Sequence, residues 1–115
     1  MAIAVPAPTP DLRAIRHTLG VSQERLARML DVSVRTVERW EHRGLPLDSK
    51  VRERVAKLQE IADLGQEVYT PAGWQTFLVT PMPVFGGQTA IQLIGAGKAD
   101  VVLAALAADY EGLGF

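Results

Sequence analysis

Within eleven residues the chain carries Ser33, Arg35, Thr36, Arg39 and Arg43, and these are the side chains whose types and spacing support recognisable chemistry. Guanidinium groups present a planar fork of donors that matches guanine O6 and N7 or phosphate oxygens, and hydroxyls can donate or accept. At intervals of three and four residues such groups share one helix face. The chemistry they offer is recognition of a polyanion. Bond-making chemistry has little to work with. His17 and His42 stand alone, with no Ser, Asp or Glu beside either in triad or metal-ligand spacing. There is no cysteine for a thiolate, a disulfide or a zinc site. Gly97-Lys98 fails the phosphate-loop pattern at both ends, since Gln92 stands five before the glycine and Ala99 follows the lysine. Trp40 and Trp74 have faces on which bases could stack, but each lies on an apolar helical stripe, where core packing is the expected use. The expectation is a binding protein and not an enzyme, with no metal and no cofactor.

Charge separates along the chain in the same sense. The net charge is -1. From Met1 to Gln59, however, eleven Lys and Arg stand against seven Asp and Glu, while from Glu60 to Phe115 Lys98 alone stands against six acids. Phosphate neutralisation needs clustered cations, so residues 10 to 57 suit nucleic acid and the remainder does not. A merely solvated arginine-rich helix face is the alternative that charge by itself leaves open. With 115 residues and 48% hydrophobic content, the chain has the size of one domain or two small ones with thin cores. No apolar run approaches the roughly 18 residues of a membrane span. Met1 to Pro8 lack the charged start and apolar stretch of a signal peptide, so a cytoplasmic, membrane-free protein is expected.

The elements that must hold these residues can be read from caps and periodicity. Pro6, Pro8 and Pro10 make residues 1–9 an extended arm, with Thr9 as N-cap and Pro10 as the first helical residue. Leu12, Ile15 and Leu19 then form an apolar stripe, and Gly20 supplies a left-handed stop. Ser22 caps a second helix with Leu26, Ala27 and Leu30 inward. Ser33 caps a third, Val34 to Arg43, in which Val37 and Trp40 face inward until Gly44-Leu45-Pro46 ends it. Asp48 or Ser49 opens the longest helix, which reaches about Glu67 on a stripe of Val51, Val55, Leu58, Ala62 and either Ile61 or Leu64. Its first half is basic and its second half acidic. A phosphate contact from Arg52 or Arg54 is the weaker expectation there, and packing or dimerisation through the apolar stripe the stronger.

Thr70-Pro71 opens a short helix burying Trp74, Phe77 and Leu78, which Thr80-Pro81-Met82-Pro83 breaks. A loop through Phe85-Gly86-Gly87 follows, Thr89 caps Ala90 to Ile94, and Gly95-Ala96-Gly97 turns the chain again. Asp100 is expected to cap the last helix. From Val101 to Ala108 that helix is only Val, Leu and Ala, which predicts burial all round and hence a partner surface, because so small a module covers such a helix poorly by itself.

Two stretches carry a resemblance. Gln23-x-x-Leu26-Ala27-x-x-Leu30-x-Val32-Ser33-x-x-x-Val37-x-x-Trp40-Glu41 resembles the Xre/Cro-type helix-turn-helix. Small Ala27 lets the two helices approach, Val32 plugs the turn, Val37 and Trp40 seat the third helix, and Ser33 leaves that helix's N-terminus free to point at DNA. Asp31 stands where the family commonly has Gly, a costlier left-handed turn that Asp tolerates. The resemblance implies that Val34–Arg43 is the recognition helix, with Ser33, Arg35, Thr36 and Arg39 in the major groove and Arg35 the first candidate for reading a base. Gln23, and Arg39 or Arg43 at the groove edge, would meet phosphates. A helix-turn-helix retained only as an oligomerisation scaffold is the competing reading.

The second stretch comprises Trp74-x-x-x-Leu78-x-Thr80-Pro81, then Phe85-Gly86-Gly87-x-Thr89-x-Ile91-x-Leu93-Ile94, then Val101 or Val102 with Leu106, and finally Glu111-Gly112-x-x-Phe115. It resembles the toxin-binding domain of Xre/MbcA/ParS-type antitoxins, although Ala90 replaces the family's usual Pro. The resemblance implies an all-α chain with an arm at 1–9, a helix-turn-helix domain at 10–47, a connecting helix at 48–67 and a toxin-binding domain at 68–115. It makes Trp74, Phe85, Leu106, Tyr110, Gly112 and Phe115 the toxin-binding candidates. The implied partners are a RES-type toxin that consumes NAD, whose NAD pocket the antitoxin's C-terminal end covers, and operator DNA bound by a homodimer that represses its own operon. A stand-alone Xre-family regulator with a C-terminal dimerisation or ligand-binding domain is the alternative. The tail Glu111–Phe115, with two glycines and a terminal Phe115, is expected either to plug a toxin cleft or to cap the last helix.

Overall fold

Side chains that can accept a backbone N–H decide where the helices begin. A computed structural model of the chain describes residues 10–46 and 48–112. The arm with its Thr9 cap, Leu47 and the terminal residues 113–115, Phe115 included, lie outside the described residues. Helix α1 spans Leu12–Leu19, and Asp11 is its N-cap, accepting from the Ala14 N–H at 3.2 Å. The expected start at Pro10 is thus corrected: Asp11 carries the carboxylate that can take up a free N–H of the first turn. Gly20 ends α1 in the left-handed region at φ 65°. Helix α2, Gln23–Leu30, is capped by Ser22 and closed by Asp31 at φ 56°, the one non-glycine with positive φ among the described residues. Helix α3 spans Val34–Arg43 behind the Ser33 cap. Helix α4 spans Ser49–Val68, with Asp48 as its cap.

Helix α5, Pro71–Val79, starts on Thr70. The loop expected after it contains a single 3-10 turn, Pro83–Phe85. Helix α6, Ala90–Gly95, opens with a reciprocal capping box: Thr89 Oγ1 accepts from the Gln92 N–H at 3.1 Å and Gln92 Oε1 accepts from the Thr89 N–H at 2.9 Å. That box does for the helix start what the absent proline would otherwise do. Helix α7 spans Ala99–Gly112. Asp100 is therefore inside its first turn and is not its cap; the carboxylate instead pairs with Lys57 Nζ at 2.7 Å. Among the described residues the architecture is all-helical, and no single helix is long and apolar enough to cross a membrane.

One continuous apolar core joins the two halves. It runs from Leu12, Ile15 and Leu26 through Val55, Leu58 and Ile61 of α4 to Trp74, Leu78, Ile94 and Leu106. Helix α4 is the spine, lying against α1 and along α7, while α2 touches α6. Sharing the core explains how a thin C-terminal half is stabilised: its apolar surface is covered by the spine as well as by itself. It also corrects the expectation for α7. Only Val102 and Leu106 are buried there, whereas Val101 is 45% exposed and Ala104 and Ala108 are also exposed. A helix packed in one layer has one covered face, and an apolar sequence does not change that geometry.

Candidate nucleic-acid interface and partner surface

Helix α3 is built to show one face. Val37 at 0% and Trp40 at 8% exposure seat it on the core, which turns Arg35, Glu38, Arg39, His42 and Arg43 to the outside. These five line one shallow groove. Ser33 is exposed at the N-terminus; its Oγ accepts from the Thr36 N–H at 3.1 Å and lies 2.8 Å from the Thr36 hydroxyl. The positive end of the helix dipole and the two hydroxyls therefore face outward with Arg35 in the first turn, the disposition a helix needs to approach phosphates and base edges.

Gln23 is placed differently from the rest. Its side-chain amide Nε2 donates to Glu41 Oε2 at 2.6 Å, and Arg16 Nε donates to Glu41 Oε1, also at 2.6 Å. The Glu41 side chain is 2% exposed. Burial by itself raises its pKa, but hydrogen bonds from Arg16 and Gln23 and the charges of Arg16 and Arg13 outweigh burial and hold it below its ordinary value. Gln23 thus has an internal partner beside the phosphate contact expected of it: a nearly covered carboxylate needs its donors, and one N–H of this amide is used inside the protein. The knot ties α1, α2 and α3 together around Glu41, a residue that the motif includes but to which the sequence assigned no role.

At the other end, Trp74, Phe85 and Leu106 are 2%, 4% and 0% exposed. The expectation that they touch a partner directly gives way to a supporting one, because their rings and branches are already packed within the chain. Phe77 stacks on Trp74 at 5.6 Å and on Tyr69 at 5.0 Å, and meets Phe85 edge-on at 6.0 Å. Trp74 Nε1 donates to the Thr18 carbonyl at 2.8 Å, joining α5 to the end of α1. What this end exposes is Val79 at 66%, Val84 at 64% and Val101 at 45%, with Gly112 exposed at the end of α7. Tyr110, partly exposed, borders a groove with Leu64, Leu103 and the carboxylates of Glu60, Asp63 and Glu67. Val79 and Val84 have no counterpart in the residues singled out from the sequence, and for Val101 the sequence left open whether it or Val102 was meant; an apolar pattern marks helices, not which of their faces stays open.

Fold and site together define a helix-turn-helix protein with a C-terminal helical half built onto the same core. The family described as the antitoxin Xre-like helix-turn-helix domain matches residues 2–60, and the chain belongs to that family. Across both halves its fold is similar to a chain in the crystal structure of the M. tuberculosis MbcT-MbcA toxin-antitoxin complex. The likeness covers 91% of this chain and 95% of that one, with a TM-score of 0.70 and 23% identity. No curated protein matches the chain.

Proposed function

We propose that this chain is the antitoxin of a type II toxin-antitoxin pair, which binds operator DNA through α3 to repress its own operon and inhibits a RES-type, NAD-consuming toxin through residues 68–115. The observation that carries the reading is the outward row of Arg35, Arg39 and Arg43 on a helix seated by Val37 and Trp40 and capped at its N-terminus by Ser33. Membership of the antitoxin family supports it, as does the likeness to a chain from a toxin-antitoxin complex.

In this reading residues 10–47 read DNA, residues 48–67 connect, and the exposed apolar positions Val79, Val84 and Val101 meet the toxin over the support of Trp74, Phe85 and Leu106. Arg35 reads a base, Ser33 and Thr36 fix the helix N-terminus at the backbone, and Arg39 and Arg43 hold phosphates. One recognition helix buries too little for specific affinity, so two copies bind half-sites about 10 base pairs apart. Footprinting on the DNA upstream of the chain's own reading frame tests the first half of the proposal, and an assay of NAD consumption by the protein encoded next to it, with and without the chain, tests the second. Two protected half-sites at that spacing, and loss of the neighbour's NAD consumption when the chain is added, are the expected results. A single protected half-site contradicts the dimer, and undiminished NAD consumption contradicts the toxin assignment.

A further inference from the structure

The recognition helix is framed by two arginines that come from outside the helix-turn-helix. Arg54 of α4 donates from Nη1 to the carbonyl of Leu30 at 3.1 Å, and Arg52, two residues earlier, donates from Nε to the carbonyl of Pro46 at 2.9 Å. Leu30 is the last residue of α2, immediately before the left-handed Asp31 and three before the Ser33 cap of α3. Pro46 lies three residues beyond Arg43, the last residue of α3. The two carbonyls thus bracket α3 at its approach and its exit.

The local hydrogen-bond pattern explains why the Leu30 carbonyl was open. At the end of α2 the Asp31 N–H goes to the Arg28 carbonyl and the Val32 N–H to the Ala27 carbonyl, which leaves the final carbonyl of the helix without a partner in the turn. A guanidinium there satisfies it and also complements the negative end of the α2 dipole. On the exit side, the Gly44 N–H closes onto the Trp40 carbonyl, and Pro46 follows two residues later.

We infer that Arg52 and Arg54 are positioning residues for DNA reading: they set the angle of α3 against α4 by holding the carbonyls on either side of it. The inference rests on the proposal that α3 reads DNA and assigns these two cations a role other than phosphate contact. It also gives the spine a mechanical function. Helix α4 lies along α7 and carries Lys57, which pairs with Asp100 of α7, so the element that orients the recognition helix is anchored in the C-terminal half.

The two roles differ in their salt dependence. A cation on a phosphate releases about one counterion when it binds, so its removal lowers the salt slope by about one and weakens all DNA alike. A cation that only positions α3 leaves the slope in place and lowers affinity for the specific sequence alone. Arg52→Met and Arg54→Met retain most of the aliphatic stem and remove the donor. Each variant, checked for an unchanged helical circular-dichroism spectrum, is titrated against a duplex from upstream of the chain's own reading frame and against a random duplex of equal length, at several salt concentrations. The expected result is a fall of about 3–10-fold in the ratio of specific to random affinity, worth about 0.7–1.4 kcal/mol, with random-DNA affinity and salt slope unchanged. An equal loss on both duplexes with a slope lower by about one overturns the inference, and so does no change on either. If Arg54→Met does not fold, Arg52→Met carries the comparison. If the unsubstituted chain does not distinguish the two duplexes, it is the DNA-reading proposal itself that fails, which separates the two outcomes.

Discussion

Gly65 of α4 lies flat against the indole of Trp74 of α5: a Cβ built at Gly65 would fall among the ring atoms Cζ3, Cε3 and Cη2. The glycine lies inside the last turn of the helix and is buried, where its backbone freedom is a cost, so the close approach of the ring is the reason for it.

Gly65→Ala is therefore expected to destabilise the chain. Helix propensity alone would raise stability by about 1 kcal/mol. Overpacking costs about 1–3 kcal/mol, and moving the indole also strains its bond to Thr18. The sign follows the ring. Urea unfolding with an unchanged m-value measures it, and a gain in stability would show that the indole can move aside freely.

Trp74→Phe retains most of the apolar contact and removes the donor to the Thr18 carbonyl. That carbonyl is not orphaned, because Gln75 Nε2 also donates to it at 3.1 Å. The expected loss, beyond that of the smaller ring, is about 0.5–1.5 kcal/mol. A double-mutant comparison with Gln75→Ala should exceed the sum of the two single losses, since only then does the carbonyl lack both donors. Strict additivity would contradict the shared acceptor.

Glu41 predicts an acid-side pH dependence. Its carboxyl has a folded pKa below the ordinary value, so the ionised form favours the folded state. This contribution is fully present above the ordinary glutamate range and is lost as pH falls through the lowered folded value. Unfolding midpoints measured from neutral pH downward should drop through that window. Glu41→Gln should flatten that part of the profile, and an unchanged profile would locate the acid sensitivity elsewhere.

Arg35→Ala is expected to weaken specific DNA binding by about 1–3 kcal/mol and to relax preference at one base, whereas Arg43→Ala acts equally on every sequence. Parallel titrations with matched and scrambled duplexes separate them. An equal loss on both duplexes for Arg35→Ala removes its base-reading role.

Deleting residues 112–115 is expected to leave the core and DNA binding intact, since Gly112 is exposed and Val102 and Leu106 hold α7. The same deletion should abolish inhibition of the toxin. Full inhibition by the truncated chain would exclude the tail as a plug, and loss of folding would favour its role as a helix cap.

Local chemistry was legible in the residues themselves. Ser22, Ser33, Thr70 and Thr89 each carry the oxygen that caps the helix following them, and Gly20 and Asp31 sit where a left-handed residue ends one. Apolar spacing likewise marked Ile15, Leu26, Val37 and Leu58 as core. These are properties of a few neighbouring residues, and a sequence records them directly. Asp11 and Asp100 show the limit of that reading: the sequence opens α1 on Thr9-Pro10, whereas Asp11 caps it, and only the packed chain put Asp100 inside α7, opposite Lys57.

Everything that joins distant segments was decided by tertiary structure. Trp74 and Thr18 are 56 residues apart, and Arg54 and Leu30 are 24 apart. The same is true of Gln23, whose amide turned inward to Glu41, and of α7, whose uniform apolar sequence could not say which side would stay open. Helix capping is satisfied within one turn of backbone, but a donor's choice between solvent, DNA and a remote carbonyl depends on where packing of the shared core leaves that carbonyl.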